Sequence, residues 1–256
     1  MFNHDTVKRN HKNSRKNLPQ SAFHKFICED LLDRLEPIDC PFNNILLIYP
    51  LPEYVFVHSL NIKYPDHKLT IIESAEQIGA IEQNFDLIIF PFGLHWISDT
   101  QSFLKQICEI LEPHGIFICN FPGGGTLANL RRKLVELESQ TSGRHVPHIS
   151  PFIQFEHMTP LLGQAGFVEN IIDMESIEFE YKTPLLLMKA LKNAGQSNSL
   201  KDGISYSITK KMFQKLQISH DKPFIDYVNL ISFISTKTKR SIKLLKKHFN
   251  PIDIKI

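Results

Sequence analysis

Short apolar runs alternate with longer amphipathic stretches along the first half of the chain. The short runs are rich in branched aliphatic residues, which is typical of buried parallel strands, at 45–48, 69–72, 85–90 and 116–120. Between them, apolar residues recur three and four positions apart and predict helices over 23–35, 53–60 and 100–111. This alternation predicts an α/β domain with a parallel sheet and helices on both faces.

The second half of the chain is richer in predicted helices. We expect them over 126–139, 159–166, 184–194 and 208–217, with Thr126 as the N-cap of the first. Strands are expected over 168–181 and 227–234. The whole therefore reads as one domain, 1–235, with a basic N-terminal arm at 1–17 and a basic C-terminal tail at 236–256.

Composition narrows the class of protein further. The 256 residues carry 29 Lys and Arg against 27 Asp and Glu, and a net charge of +2 gives no argument for nucleic-acid binding. No apolar run approaches the roughly 20 residues that span a bilayer. The 4 cysteines and 12 histidines show no metal-ligand spacing, so we expect reduced thiols, no metal site and a cytoplasmic protein.

Glycine is scarce and unevenly placed. The chain has 11 glycines, where average usage would give roughly 18, and the first is Gly79. Any nucleotide-cradling loop that needs glycine is thus absent from residues 1–78. Three of the eleven lie together at Gly123–Gly125, directly before a predicted helix.

Two segments in the middle of the chain resemble class I S-adenosylmethionine-dependent methyltransferases. Residues 85–99 (FDLIIFPFGLHWISD) resemble that family's fourth strand and the turn after it, and residues 110–117 (ILEPHGIF) resemble its turn into strand five. The resemblance implies a Rossmann-like methyltransferase sheet with helical additions in the C-terminal half.

Several later strings resemble a narrower family, the methyltransferase-like assembly factors of respiratory complex I. They occur in order at 123–127, 147–152 (PHISPF), 161–167, 187–191 and 195–198 (GQSN). The biotin-pathway malonyl-carrier-protein methyltransferase is a more distant resemblance and lacks the PHISPF string. The narrower family implies modification of an arginine on a complex I subunit, by hydroxylation rather than methyl transfer.

The basic N-terminus is similar to the mature start of that family. We therefore expect a bacterial, cytoplasmic protein rather than one with a transit peptide. The basic arm and tail also suggest peripheral contact with the inner membrane, whose anionic surface attracts clustered Lys and Arg. A disordered, solvated terminus is the alternative explanation.

The chain departs from the methyltransferase pattern where the cofactor loop belongs. The family places an acid and several glycines after strand one, whereas residues 49–53 here read Tyr-Pro-Leu-Pro-Glu. The segment from Ile45 to Phe85 is also about 20 residues short of two βαβ repeats. Strand 69–72 is then either the family's third strand or its second, with Glu73 as the ribose-binding acid. Loss of the glycine loop counts against S-adenosylmethionine binding.

The resemblance implies candidate site residues. Those on the cofactor side are Tyr49, Glu73, Ser74, Ala75, Phe90, Phe92 and His95. Those on the substrate or partner side are Trp96, Gly123, Gly124, Thr126, Ser150, Phe152 and Asn198. His148 is the candidate general base and Arg131 the candidate partner of a carboxylate.

Several of these residues could have a purely structural role instead. Trp96 could simply pack a helix on the sheet, and the glycines could form a turn rather than a mobile lid or an anion site at a helix N-terminus. Three functions follow: an enzyme with a degenerate cofactor loop, a non-catalytic assembly scaffold, and a small-molecule or carrier-protein methyltransferase. The sequence leaves open whether catalysis is retained.

Overall fold

The structure is a computed structural model that describes residues 2–16, 22–48, 54–141, 147–200, 208–218 and 222–239. Its strands are β1 (Asn44–Ile48), β2 (Lys68–Ile72), β3 (Phe85–Pro91), β4 (Leu111–Pro122), β5 (Glu169–Tyr181) and β6 (Phe224–Thr236). They form one sheet in the order β2-β1-β3-β4-β6-β5. The first four strands are mutually parallel, and β6 runs antiparallel to both of its neighbours.

Eight helices of the described residues surround this sheet. They are α1 (His4–Ser14), α2 (Ala22–Leu35), α3 (Tyr54–Lys63), α4 (Thr100–Ile110), α5 (Ala128–Thr141), α6 (Met158–Ala165), α7 (Pro184–Asn193) and α8 (Lys210–Leu216). Short 3-10 turns lie at 75–80, 94–96 and 155–157. The predicted strands and the helices from α2 onward are confirmed within a few residues.

Alternation along the central strands divides the core into two layers. Leu47 and Ile89 point to the face covered by α2 and α3, where they pack with Leu31. Their neighbours Leu46 and Ile88 point to the opposite face and pack with Leu104 of α4. Both faces of the parallel strands are buried, which is why these strands are apolar throughout. The predicted helices on both faces are confirmed.

The shortened N-terminal region keeps the strand beside β1. Each residue of β2 pairs in parallel with β1, from Asn44 with Lys68 to Ile48 with Ile72. No strand lies outside β2 among the described residues. Of the two alignments, the one that makes 69–72 the second strand agrees with this topology, and Glu73 then directly follows that strand.

The start of β4 differs from the sequence prediction. The strand was predicted over 116–120, after a turn within 110–117, but it begins at Leu111, which pairs with Phe85. The register then shifts, because Leu87 pairs with Ile116. The four residues 112–115 therefore lie opposite the single residue Asp86, which makes the pairing irregular at this point.

Helix α5 is capped from another strand, which corrects the prediction for Thr126. The Asp226 carboxylate of β6 accepts hydrogen bonds from the N–H groups of Asn129, at 3.2 Å, and Leu130, at 2.7 Å. Thr126 instead accepts a hydrogen bond from the N–H of Asn229, at 3.1 Å, through its hydroxyl. The cap lies nearly 100 residues away in sequence, so a local pattern could not indicate it.

The N-terminal segment predicted as an arm contains a helix that is docked on the fold. Phe2 and Val7 pack with Trp96 in a small apolar cluster, and Phe2 pairs with Leu200. At the other end, Lys237 donates to the Leu111 carbonyl at 2.7 Å, and residues 240–256 lie outside the described residues. No helix in the described ranges is long and apolar enough to cross a membrane.

Candidate functional site

An apolar cavity of about 520 Å³ opens where β3 and β4 end. Phe92 and Pro122 bring the ends of these two strands to its wall, and α5, α7 and the 147–152 segment close the other sides. Open α/β sheets bind ligands at the carboxyl ends of their strands. We call this space the apolar cavity.

His95 and Trp96 line the apolar cavity as neighbouring rings whose centroids are 4.8 Å apart. Burial lowers the pKa of His95 to about 3, so its imidazole is neutral at physiological pH. Its Nε2 lies 3.0 Å from Oε1 of Gln196, and we assign the proton to Nε2 from that partner. Among the described residues, His95 Nδ1 and Trp96 Nε1 are buried atoms with no hydrogen-bond partner.

His148 is a second histidine of the cavity wall, and its ring is paired with Glu138. Nε2 of His148 lies 2.8 Å from Oε1 of Glu138 on α5, and both side chains are at most 8% exposed. A carboxylate that accepts from Nε2 fixes the ring and leaves Nδ1 as the atom with a lone pair. The pair is therefore suited to accept a proton or a hydrogen bond.

Arg131, the candidate partner of a carboxylate, does not line the apolar cavity. Its side chain is exposed, and the guanidinium donates to the Ser150 carbonyl at 3.1 Å. The cavity-lining Ser150 and Phe152 belong to the segment that this bond fastens to α5. Arg131 therefore positions the wall of the cavity.

The glycine-rich turn is packed against protein and does not form an anion site. Backbone N–H groups of Gly123, Gly124 and Leu127 donate to the carbonyls of Asn229, Ile153 and Tyr227 at 2.7, 2.9 and 2.8 Å. A Cβ on Gly124 would lie 2.0 Å from the Gln154 side chain. Gly123 and Gly124 are therefore required for close packing and do not line the cavity, whereas Thr126 does.

A second pocket of about 330 Å³ lies across Trp96 from the apolar cavity. The expected cofactor-side residues Glu73, Ser74, Ala75 and Phe90 line it. Helix α1 closes it through a set of four side chains, His4, Val7, Lys8 and His11. We call this space the α1 pocket.

Ion pairs fasten α1 over that pocket. Arg15 contacts Glu73 at 3.1 Å, and Lys8 contacts Glu76 at 2.6 Å. The Glu73 side chain is 69% exposed, so its pair with Arg15 is weak and its carboxylate is accessible to a ligand.

Two expected cofactor residues lie elsewhere. Phe92 and His95 line the apolar cavity and not the α1 pocket, because the chain turns sharply after β3. Phe92 has a φ of 45°, and its N–H donates to Asn120 Oδ1 at 3.1 Å. Tyr49 lies outside the described residues.

Ser150, Phe152 and Asn198, predicted on the substrate side, line the apolar cavity together with His148. In the described part of the chain, no group of three or more His, Cys, Asp or Glu side chains could hold a metal ion.

Comparison with known proteins agrees with this architecture. Residues 53–119 match a family model described as a methyltransferase domain. A candidate methyltransferase of Rickettsia prowazekii, RP459, is 45% identical over 179 residues, which is 70% of this chain and 79% of that protein. The chain belongs to this methyltransferase-like family.

More distant relatives of the methyltransferase-like chain carry more specific names. The mitochondrial arginine hydroxylase NDUFAF5 of mouse is 35% identical over 148 residues, covering 58% of this chain but only 43% of that protein. The malonyl-[acyl-carrier protein] O-methyltransferase of Xylella fastidiosa is 26% identical over 132 residues, 52% of this chain and 43% of that one. A candidate methyltransferase of Bacillus halodurans shares the fold, with a TM-score of 0.50 at 13% identity, covering 83% of this chain and 99% of that one.

Sequence reasoning missed several residues that build the site of this methyltransferase-like protein. Glu138 is a buried acid on the apolar face of α5. An acid at an apolar position of a predicted helix is the sequence signal that could have identified it. Gln196 lies inside the GQSN string, but nothing in that string indicates that it is the residue paired with His95. Asp226 and Asn229 act across 96 or more residues, so nothing near them in sequence indicates their partners.

Proposed function

We propose that this methyltransferase-like chain modifies an arginine of a protein substrate, a subunit of respiratory complex I, by hydroxylation. The reaction takes dioxygen and a two-electron donor from outside the chain: one oxygen atom is inserted into a C–H bond of the arginine, and the other leaves as water. The proposal is supported by relatives that are named arginine hydroxylases and by the strings that resemble the complex I assembly factors. Its alignment with the mouse relative covers 43% of that protein, so substrate and chemistry are carried over as a proposal.

One observation carries the proposal. Four of the five strings of the resemblance are separated in sequence yet meet around one space, whereas the string 161–167 packs in the core. Thr126 and Leu127, then His148 to Phe152, then Leu187 to Leu191, and finally Gln196 to Asn198 all contribute to the wall of the apolar cavity. We therefore assign the substrate to this cavity, with the Glu138–His148 pair as its proton acceptor.

The α1 pocket is the place we propose for S-adenosylmethionine. The described residues fit its nucleoside end, because a carboxylate after β2 can accept hydrogen bonds from sugar hydroxyls and Phe90 offers an apolar face. Residues 49–53, where the sequence of the family has its glycine loop, hold no glycine and lie outside the described residues. When bound, the cofactor offers an activated methyl group. Loss of the glycine loop predicts weakened binding.

We further propose a bacterial, cytoplasmic protein that touches the inner membrane through its basic ends. Co-sedimentation with vesicles of anionic phospholipid tests this contact. The full chain is expected to pellet at low salt, and a chain lacking residues 240–256 is expected to pellet less. Equal sedimentation of the two would remove the tail from the proposal.

Mass spectrometry tests the central proposal. Complex I subunits from cells that lack this protein are compared with those from cells that carry it, and with those from cells that carry His148→Gln. We expect one arginine to gain one oxygen atom only with the unaltered chain. His148→Gln is paired with His58→Gln, which alters an exposed histidine far from the cavity lining.

The outcomes separate the functions. Oxygen addition that needs His148 supports the hydroxylase, and a methyl group on the same substrate would identify a methyltransferase instead. Normal complex I assembly with neither modification would show a scaffold and overturn the proposal.

A further inference from the structure

The charges around the apolar cavity are of one sign. Among the described residues, no Asp or Glu lines it, whereas Lys189 and Lys192 of α7 stand exposed at its wall. Behind the wall, Glu138 is paired with His148, and the Asp226 carboxylate accepts from the N–H groups of Asn129 and Leu130. The described part of the wall therefore offers no free carboxylate to a cationic ligand.

A guanidinium inside such a space would be poorly stabilised. Burying a charge is costly unless an opposite charge compensates it. Aromatic faces such as Phe152 and Tyr181 compensate only part of that cost, and the two lysines repel the cation. An arginine substrate is therefore not anchored in this cavity through its charge.

The lining suits an apolar side chain of a peptide instead. Leu127, Ile149, Leu187 and Val228 are examples of the aliphatic surface that would be buried against it.

We infer that the apolar cavity anchors the substrate protein by an apolar side chain next to an acidic flank, and not by the charge of the arginine that is modified. The flank would lie on Lys189 and Lys192. The inference rests on the proposed function for the identity of the partner, and it names the features by which that partner is recognised.

The single tryptophan makes binding measurable, because Trp96 lines the cavity and its fluorescence responds to occupancy. The probes are four acetylated, amidated peptides: Ala-Leu-Phe-Asp-Asp, Ala-Leu-Phe-Lys-Lys, Ala-Ala-Ala-Asp-Asp and Ala-Arg-Ala-Asp-Asp. We expect the first to bind about tenfold more tightly than each of the others. Equal binding of the lysine or arginine peptide, or no binding by any of the four, would overturn the inference.

Two kinds of variant sharpen the test. Lys189→Glu with Lys192→Glu changes only exposed side chains and is expected to reverse the preference between the Asp-Asp and Lys-Lys peptides. Met188→Glu adds a carboxylate to the cavity wall and is expected to admit the arginine peptide, whereas the matched Met188→Gln is not. An unchanged preference in the lysine variant contradicts the inference, whatever happens to the Met188 variants.

The result is independent of the proposed chemistry. If the peptide preferences hold and no arginine gains oxygen, the proposed reaction fails and the recognition site stands. If oxygen is added but the peptides show no preference for apolar and acidic residues, the reaction stands and this inference fails.

Discussion

Glu138 and His148 form a buried pair, with Oε1 and Nε2 2.8 Å apart and side chains 5% and 8% exposed. The pair joins α5 to the segment that walls the apolar cavity. Its removal should therefore affect both the stability of the protein and the shape of its site.

Replacing Glu138 by Ala should lower the free energy of unfolding by about 3 kcal/mol, because a buried histidine loses its partner. Urea denaturation followed by circular dichroism measures this loss. Glu136→Ala on the same helix is the matched control, since its pair with Lys133 is exposed and worth less than about 1 kcal/mol. Similar losses in the two variants would show that the buried pair contributes no more to the free energy of unfolding than the exposed pair does.

Replacing Asp226, which caps α5, should lower the free energy of unfolding more than replacing a surface acid does. Its carboxylate accepts from two N–H groups in the first turn of the helix, at 3.2 and 2.7 Å. Asp226→Asn keeps one acceptor but loses the negative charge at the helix N-terminus, so we expect a loss of about 1 to 2 kcal/mol in unfolding free energy. Asp66→Asn, which changes an exposed acid, is expected to have no measurable effect in the same urea titration.

Stability should fall in mild acid because three buried histidines are held neutral. Burial lowers the pKa of His11 to about 3, of His24 to about 4 and of His95 to about 3. In the unfolded chain a histidine titrates near pH 6.5, so below that pH the unfolded state binds more protons than the folded state. Stability is complete above about pH 6.5 and is lost as pH falls toward 4, by up to about 1.4 kcal/mol per pH unit for each histidine.

Unfolding free energies measured between pH 7 and pH 4 check this dependence. His24→Gln removes one titrating group and should make the loss less steep, whereas His58→Gln, at an exposed position, should leave it unchanged. A loss of the same steepness in His24→Gln would contradict the assignment.

Glu73 should govern nucleoside binding in the α1 pocket. Calorimetry with S-adenosylmethionine is expected to show an affinity at least about fivefold lower for Glu73→Gln, because the neutral amide is a poorer acceptor for sugar hydroxyls. Glu82→Gln, an exposed change of the same kind, is the control. Equal affinities in the two variants would place the ligand elsewhere, and absence of heat with the unaltered chain would reject the pocket as a cofactor site.

The sequence predicts the scaffold well because its signals are local. Runs such as 45–48 and 85–90 are buried on both faces of the sheet, and their apolar continuity is visible without any structure. The family strings also indicate the cavity, since Ser150 and Asn198 do line it.

What the sequence does not reveal depends on contacts between distant residues. Two examples are the exposed Arg131 side chain, which bonds to Ser150, and the packing of Gly124 against Gln154. Both depend on how β6 and the 147–157 segment fold back. The N-terminal basic residues look like a solvated arm until Phe2 and Val7 are seen against Trp96.

The position of β6 has a consequence for synthesis of the protein. This strand is inserted between β4 and β5, and it supplies the bonds that hold the glycine-rich turn and start α5. Among the described strands it is the last to leave the ribosome, so the nascent chain holds an open sheet edge until residue 236 has emerged. A truncated product would keep most of the residues of the site and still lack a cavity, and we expect such products to depend on chaperones or to be degraded.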